Sequence, residues 1–374
     1  MERIEQILLK MQEASQHPVR AIQKYNVDDQ KVIGLAPYFV PKELVRAAGM
    51  YPVELWGGAV TPSEAHRFYP VFYCSILLSI MEYAIRGDYD FLSGVIIPTT
   101  CDGLRNLEED WKYANPDVPS ISFVQPVKRT GETASRYYAA ELHEVQHKLE
   151  KISGSRILDK DLFDCLQKSN EHRALMRYFD RIATRHLDIF TPLMRHYVYK
   201  SARVMPLEVH MALLTELLDL VDNRPVHDFK GIKVVATSLL MDSEELLKTL
   251  EDQGLAIVGD DVAGWSKPYE EDIPVMLDPY VALAKLWGEM KGCSVLYDPD
   301  KQRGDLLIDM AKQRGAQGAL ISIIKFCEEE EFDYPVLKEQ FEQAGIPSLY
   351  LETETQGHVD EQAATRIQAF AEML

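Results

Sequence analysis

The run Gly94-Val-Ile-Ile-Pro98, followed at once by Cys101 and Gly103-Leu-Arg-Asn-Leu-Glu-Glu-Asp-Trp111, decides the fold class. An apolar run without polar alternation reads as a strand buried on both faces, and the amphipathic stretch behind it as a helix. The same handover recurs along the chain. Further strands are expected at Lys31 to Leu35, Tyr51 to Leu55 and Ser120 to Val124, then at Lys233 to Thr237, Ala256 to Val258, Ser294 to Tyr297, Ala319 to Ile324 and Ser348 to Leu351. Helices are expected between them. Pro41 to Gly49 has a proline start and a glycine stop, and Ser243 to Gln253 has Ser243 as its cap and Gly254 beyond it. This alternation predicts an α/β protein of two flavodoxin- or Rossmann-like lobes with parallel sheets. From about residue 135 the pattern changes to long amphipathic helices, with Leu142, Val145, Leu149 and Ile152 at helical spacing. The expected division is an N-terminal α/β lobe at 1–134, a helical segment at 135–226 and a C-terminal α/β lobe at 227–374.

Composition narrows the function. The 374 residues carry a net charge of -19, with 46% hydrophobic and 26% charged side chains. That charge, without a Lys/Arg cluster, argues against nucleic acid or an anionic membrane surface as partner. No apolar stretch approaches the roughly 20 residues that span a bilayer. The start, Met1-Glu-Arg-Ile-Glu-Gln-Ile-Leu-Leu-Lys10, is charged and amphipathic, unlike a secretory signal. Five cysteines at wide, irregular spacing do not form a disulfide framework, so a reduced, cytoplasmic protein is expected. Neither a Gly-x-Gly-x-x-Gly nor a Walker-type loop occurs, which leaves the chain without a dinucleotide or ATP site of its own.

Three of the cysteines stand at handovers from strand or loop to helix. Cys74 precedes the run Ser75 to Arg86, Cys101 follows the Gly94–Pro98 strand, and Cys327 follows Ala319-Leu-Ile-Ser-Ile-Ile324. Ligands of open α/β sheets bind at the carboxyl ends of strands, and helix N-termini there stabilise thiolates. Three thiols brought to such an edge point to one soft-metal site, an iron–sulfur cluster in particular. Spacing alone is weak support, because no Cys-x-x-Cys occurs. A structural zinc site wants four ligands, and a catalytic thiol wants a histidine, which none of the three has nearby in sequence. Cys165, in mid-helix, and Cys293, entering an expected strand, read as small buried apolar residues.

The flanking residues carry a resemblance. Gly34-Leu-Ala-Pro-Tyr-Phe-Val-Pro-Lys-Glu-Leu-Val-Arg-Ala-Ala-Gly-Met50 with Tyr51-Pro-Val-Glu-Leu-Trp-Gly57-Gly58, then Ser93 to Leu104, and Lys325-Phe-Cys-Glu-Glu-Glu-Glu-Phe-Asp-Tyr-Pro335 resemble the 2-hydroxyacyl-CoA dehydratase and benzoyl-CoA reductase family, nearly end to end and in order. Length and motif style are similar to the smaller, beta-type subunit of the dehydratases. The resemblance implies an oxygen-sensitive 4Fe–4S cluster on Cys74, Cys101 and Cys327, its fourth iron without a cysteine. It also implies a related alpha subunit in a heterodimer, and an iron–sulfur ATPase activator that injects one electron. The substrate would be an acyl-CoA thioester. An added electron makes its carbonyl a ketyl radical anion that expels the 2-hydroxyl, renders the C3 proton acidic and returns to the enzyme as the 2-enoyl-CoA forms. Two rival readings are a benzoyl-CoA-reductase-type subunit, which consumes electrons, and a non-catalytic electron carrier or assembly protein.

Other positions carry expectations of their own. Glu54 stands where beta-type relatives tend to have a small residue, and is either a catalytic group facing the cleft or an outward-pointing strand end. Trp56 is expected to pack beneath the cluster. Asp102 either caps the helix after Cys101 or fixes the cluster loop. Glu328 to Glu331 suit a helix's first turn, and would also disfavour an added electron nearby. The family often has Asp-Pro there, so a different local turn is implied. Asp260-Asp261 resembles an acidic pair near the family's cleft; the familiar Arg beyond it is Lys267 here, which implies loss of a bidentate partner.

Overall fold

The structure, a computed structural model, describes residues 2–26, 28–355 and 361–374. Helices α1 (Glu2–Gln16) and α2 (Pro18–Tyr25) lead into β1 (Val32–Leu35), α3 (Lys42–Ala47) and β2 (Tyr51–Glu54). A 3₁₀ turn at Glu64–Arg67 precedes α4 (Ser75–Ile85), β3 (Gly94–Pro98), α5 (Asp102–Ala114) and β4 (Ser120–Phe123). Four helices follow: α6 (Glu132–Ser153), α7 (Asp159–Ala183), α8 (Pro192–Ser201) and α9 (Leu207–Asp222). The α/β rhythm resumes with β5 (Ile232–Thr237), α10 (Glu244–Asp252), β6 (Leu255–Asp260) and a 3₁₀ turn at Lys267–Tyr269. Helices α11 (Pro279–Glu289) and α12 (Arg303–Arg314), β7 (Gly318–Ile324), α13 (Glu328–Gln343), β8 (Ser348–Thr353) and α14 (Glu361–Met373) complete the order.

Both sheets are four-stranded and all parallel, ordered β2-β1-β3-β4 and β6-β5-β7-β8. The α/β architecture of two like lobes expected from the handover pattern is therefore present. Strands β3 and β7 are buried at every residue, as parallel strands covered on both faces must be. The strand order reverses between β1 and β3 in one sheet and between β5 and β7 in the other, giving each lobe a crevice where its connections part.

The helices tie the lobes together. Leu142, Val145 and Leu149 of α6 and Leu162 and Leu166 of α7 join the core under the first sheet. Met176, Phe179 and Ile182, further along α7, join the core of the second sheet with Val198 and Leu214. Helix α1 also belongs there: Ile4, Ile7, Leu8 and Met11 pack among Val234, Ala236 and Trp265. Thr355, just past β8, bonds to the first turn of α4 through Ser75, its amide reaching the Ser75 hydroxyl at 2.9 Å and its own hydroxyl the Ser75 carbonyl at 3.1 Å.

One expected strand is absent: Ser294 to Tyr297 is irregular, closed by the Leu296 amide donating to the Cys293 carbonyl at 3.1 Å. Val295 and Leu296 are buried, but in the core of the first lobe. A short apolar run looks alike whether it enters a sheet or plugs the space between two. Among the described residues, no helix is long and apolar enough to cross a membrane.

His196 of α8 is fully buried between Asp242 and Trp265, and burial pushes its pKa down to about 3. The unfolded chain binds this proton near pH 6.5 while the folded chain does not, so stability is lost as pH falls below 6.5. Unfolding titrations of wild type and His196→Leu at pH 7 and 5 are expected to shift by about 2 kcal/mol in the variant's favour at the lower pH. An unchanged difference would mean that the imidazole is charged in the fold.

Candidate metal centre

Cys74, Cys101 and Cys327 line one pocket of about 370 Å³. Each is the N-cap of a helix: Cys74 of α4, Cys101 of α5 and Cys327 of α13. Cys101 and Cys327 follow the last residues of β3 and β7, Pro98 and Ile324, at the same offset in each lobe. The two lobes thus deliver one thiol each from equivalent places beside their crevices, and α4 adds the third. Phe326, directly before Cys327, has φ +63, and Phe39 in the loop after β1 has φ +56. Such left-handed conformations in bulky residues are costly and gather where a site demands a particular chain path.

In the metal-free protein the thiols are protonated at neutral pH. Burial raises Cys74 to about 11, against the amides of Leu77 and Ile76. Burial and the Glu329 charge raise Cys101 to about 12, although the Leu104 amide donates to its sulfur at 3.4 Å. Cys327 is pushed well above its ordinary value, by burial and then by Glu330, and its thiol donates to Glu329 at 3.6 Å. Nothing here makes a reactive thiolate, which needs a cationic neighbour. A bound cation supplies what is missing, because a coordinating thiol is deprotonated outright. Among the described residues, no three His, Cys, Asp or Glu side chains are arranged to hold a single metal ion.

The four acids after Cys327 have separate fates. Glu328 and Glu331 are exposed, and Glu329 lies half-buried beside the thiol. Glu330 is buried and accepts from the amides of Leu239 and Ile324, each at 2.9 Å, which ties the loop after β5 to the turn that carries Cys327. Burial raises its pKa to about 7 despite Arg303. Arg303 spans the space between: it reaches Thr237 at 2.7 Å, Asp261 and Asp333 at 3.3 Å each, and Glu330 at 3.8 Å.

The acidic pair Asp260-Asp261 has not lost its arginine partners. Asp261 has Arg303, and Asp260 has Arg195 at 2.7 Å, both far away in sequence. Lys267 instead bonds Glu270 at 2.8 Å and the Lys291 carbonyl at 2.9 Å. Asp102 does not cap α5. It is the first helical residue, its side chain 94% exposed and 3.6 Å from Arg105, and the cap acceptor is the Cys101 sulfur. Cys293 is buried in the core, and Cys165 is half-buried on α7.

Glu54 does not line the cysteine pocket. It borders two neighbouring cavities, one of which shares Pro37 and Tyr38 with that pocket. Its carboxylate pairs with Lys42 and accepts from the Trp56 indole at 2.7 Å. Burial works to raise its pKa, but Lys42 and Arg203 outweigh it and hold the group below the usual carboxylate range. A base so engaged is chiefly a partner for Lys42. Glu54→Gln is expected to cost about 2 kcal/mol by urea unfolding, because it leaves a largely buried ammonium without its counter-charge. A change under about 0.5 kcal/mol would show the pair to be a surface-like ion pair.

Trp56 is buried, edge-on to Tyr38 at 5.0 Å, with Arg203 over its ring at 5.2 Å. Tyr38, Val295, Arg303 and the buried role of Glu330 have no separate signature in the sequence. Tyr38 and Glu330 fall inside runs that carry the family resemblance, and Val295 and Arg303 do not.

Comparison with known proteins bears on this arrangement. Residues 37–374 match the family model described as 2-hydroxyglutaryl-CoA dehydratase, D-component. The chain is 39% identical to the (R)-phenyllactyl-CoA dehydratase beta subunit of Clostridium sporogenes over 96% of each protein. It is 36% identical to the lactoyl-CoA dehydratase subunit beta of Anaerotignum propionicum over the full length of both. Identity to the (R)-2-hydroxyglutaryl-CoA dehydratase subunit beta of Acidaminococcus fermentans is 32%, over 99% of this chain and all of that one. With the family model matched over nine-tenths of its length and beta subunits similar from end to end, this chain belongs to the 2-hydroxyglutaryl-CoA dehydratase D-component family.

Proposed function

We propose that this chain is the beta-type subunit of an (R)-2-hydroxyacyl-CoA dehydratase. It would hold a 4Fe–4S cluster on Cys74, Cys101 and Cys327, pair with a related alpha subunit, and receive single electrons from an ATP-hydrolysing iron–sulfur activator. The observation that carries this reading is the convergence on one pocket of three cysteines that stand at helix N-cap positions. The donor set suits such a group: three soft ligands with no histidine or fourth cysteine among the residues lining the pocket. Bound there, the cluster supplies one-electron transfer at potentials that for such groups reach about −700 mV.

The chain's own residues prepare the site for that task. Each of the three helices α4, α5 and α13 begins at its cysteine, the Leu104 amide donates to the Cys101 sulfur, and the partial positive charge of the N-termini steadies thiolates. Glu329, and Glu330 to the extent that it is ionised, put negative charge close to the same sulfurs and so disfavour an added electron, which makes an accepted one more reducing. Phe72, Val127, Val295 and Phe326 give the pocket part of its apolar lining. Glu54, paired with Lys42, has a structural task in this reading, and proton transfer at C3 falls to groups outside this chain.

The test is reconstitution. The purified chain, an alpha subunit and the activator with ATP should convert a 2-hydroxyacyl-CoA to the enoyl-CoA with only catalytic amounts of reductant. Reductant consumed in step with product would instead indicate a net reductase of the benzoyl-CoA type. Activity of the alpha subunit and activator without this chain would leave it an accessory protein.

A further inference from the structure

Tyr38 occupies the loop after β1, at the crevice of the first sheet, and is 5% exposed. It lines the pocket of the three cysteines and also the cavity that Glu54 borders, so its ring is part of the wall between them. That ring is fixed from behind by the edge-on contact with Trp56, itself held by Glu54 at 2.7 Å and covered by Arg203. The hydroxyl is another matter. Tyr280 donates its hydroxyl to Gln146 at 2.8 Å and Tyr178 to Asp222 at 2.7 Å. The Tyr38 hydroxyl makes no hydrogen bond to any described residue. The oxygen is not sealed in by protein and opens onto the cavities its residue lines, where it can bond what they hold.

We infer that the Tyr38 hydroxyl donates a hydrogen bond to the anionic group held among Cys74, Cys101 and Cys327, and thereby sets how readily that group takes an electron. The inference rests on the cluster reading above. Burial holds the phenol well above its ordinary pKa, and the sulfurs act in the same direction once they are deprotonated, so it stays a donor. Tyr38 lines one pocket with all three cysteines. A donor aimed at cluster sulfur or at a non-cysteine ligand stabilises the more negative, reduced state, and hydrogen bonds to the sulfurs are among the factors that set such potentials. It works against Glu329 and Glu330, so the potential is a balance between one phenol and two carboxylates.

The experiment is anaerobic redox titration of wild type, Tyr38→Phe, and protein with fluorotyrosine incorporated at position 38, all assayed for iron and sulfide. Tyr38→Phe should keep its iron, and its reduced-to-oxidised ratio at a fixed ambient potential should fall about tenfold, the worth of one charge-assisted hydrogen bond. Fluorotyrosine, a stronger donor of nearly the same shape, should move the ratio the opposite way. Unaltered ratios in both proteins, with the iron intact, overturn the inference and leave the cluster reading standing. Wild type without iron overturns both. The metal-free proteins give an independent reading: Tyr38→Phe should unfold at the same temperature as wild type or higher, because it removes an unpartnered hydroxyl. A clear drop would reveal a protein partner for that hydroxyl and overturn the inference.

Discussion

Replacing Cys74, Cys101 or Cys327 by serine is expected to bring iron and acid-labile sulfide down to background in each case, and dehydratase activity with them. Serine keeps the size and can still cap a helix, so α4, α5 and α13 should survive. What it removes is the soft anionic ligand, for which a hydroxyl is no substitute. Because each thiol comes from a separate element, none of the three has a neighbour in sequence that can replace it. Cys165→Ser is the control: that residue lies on α7, outside the pocket, and its replacement should leave the iron content unaltered. The measurement is iron and sulfide per chain in anaerobically purified protein, with circular dichroism to show the fold retained. Full iron in any of the three variants would remove that residue from the ligand set. Full iron in all of them would sink the cluster site.

Arg303→Met is expected to cost about 4 kcal/mol in unfolding free energy and to weaken iron retention as well. The guanidinium is buried and faces Asp261, Glu330 and Asp333, with Thr237 as a further partner. Removing it leaves several buried acids without a counter-charge, a far larger penalty than the pairs contribute when intact. The effect reaches the site through Glu330, which receives the amides of Leu239 and Ile324 and so holds the turn before Cys327. Arg303→Lys should recover little, because a single ammonium cannot reach Thr237, Asp261 and Asp333 together as the planar fork does. Urea unfolding gives the first number and iron per chain after desalting the second. Wild-type stability in Arg303→Met would mean that the acids take up protons and need no arginine. A loss of stability with unaltered iron would separate this network from the centre.

Much of this protein was legible in its local patterns. The alternation of apolar runs with amphipathic stretches determined the α/β class and eight of the nine expected strands, including β3 from Gly94 to Pro98. The placing of Cys74, Cys101 and Cys327 at handovers was readable for the same reason, since strand ends and helix starts are written within a few residues of each other. Ser294 to Tyr297 failed where a local pattern must fail, because the burial of Val295 and Leu296 comes from the opposite lobe and not from a sheet of their own.

Partnership was decided by the tertiary structure alone. Glu54 finds Lys42, Asp260 finds Arg195, Asp261 finds Arg303, and Tyr38 comes to line one pocket with three cysteines from two lobes. Each pairing depends on how two sheets, with their helices, close on one another, and none has a spacing that periodicity can detect. The sequence by itself determined which residues could be ligands and which elements would carry them. The meeting of three thiols in one pocket, and the charges and hydroxyls around them, followed only from the packing of the lobes, because residues far apart in the chain become neighbours only when the cores beneath them are buried together.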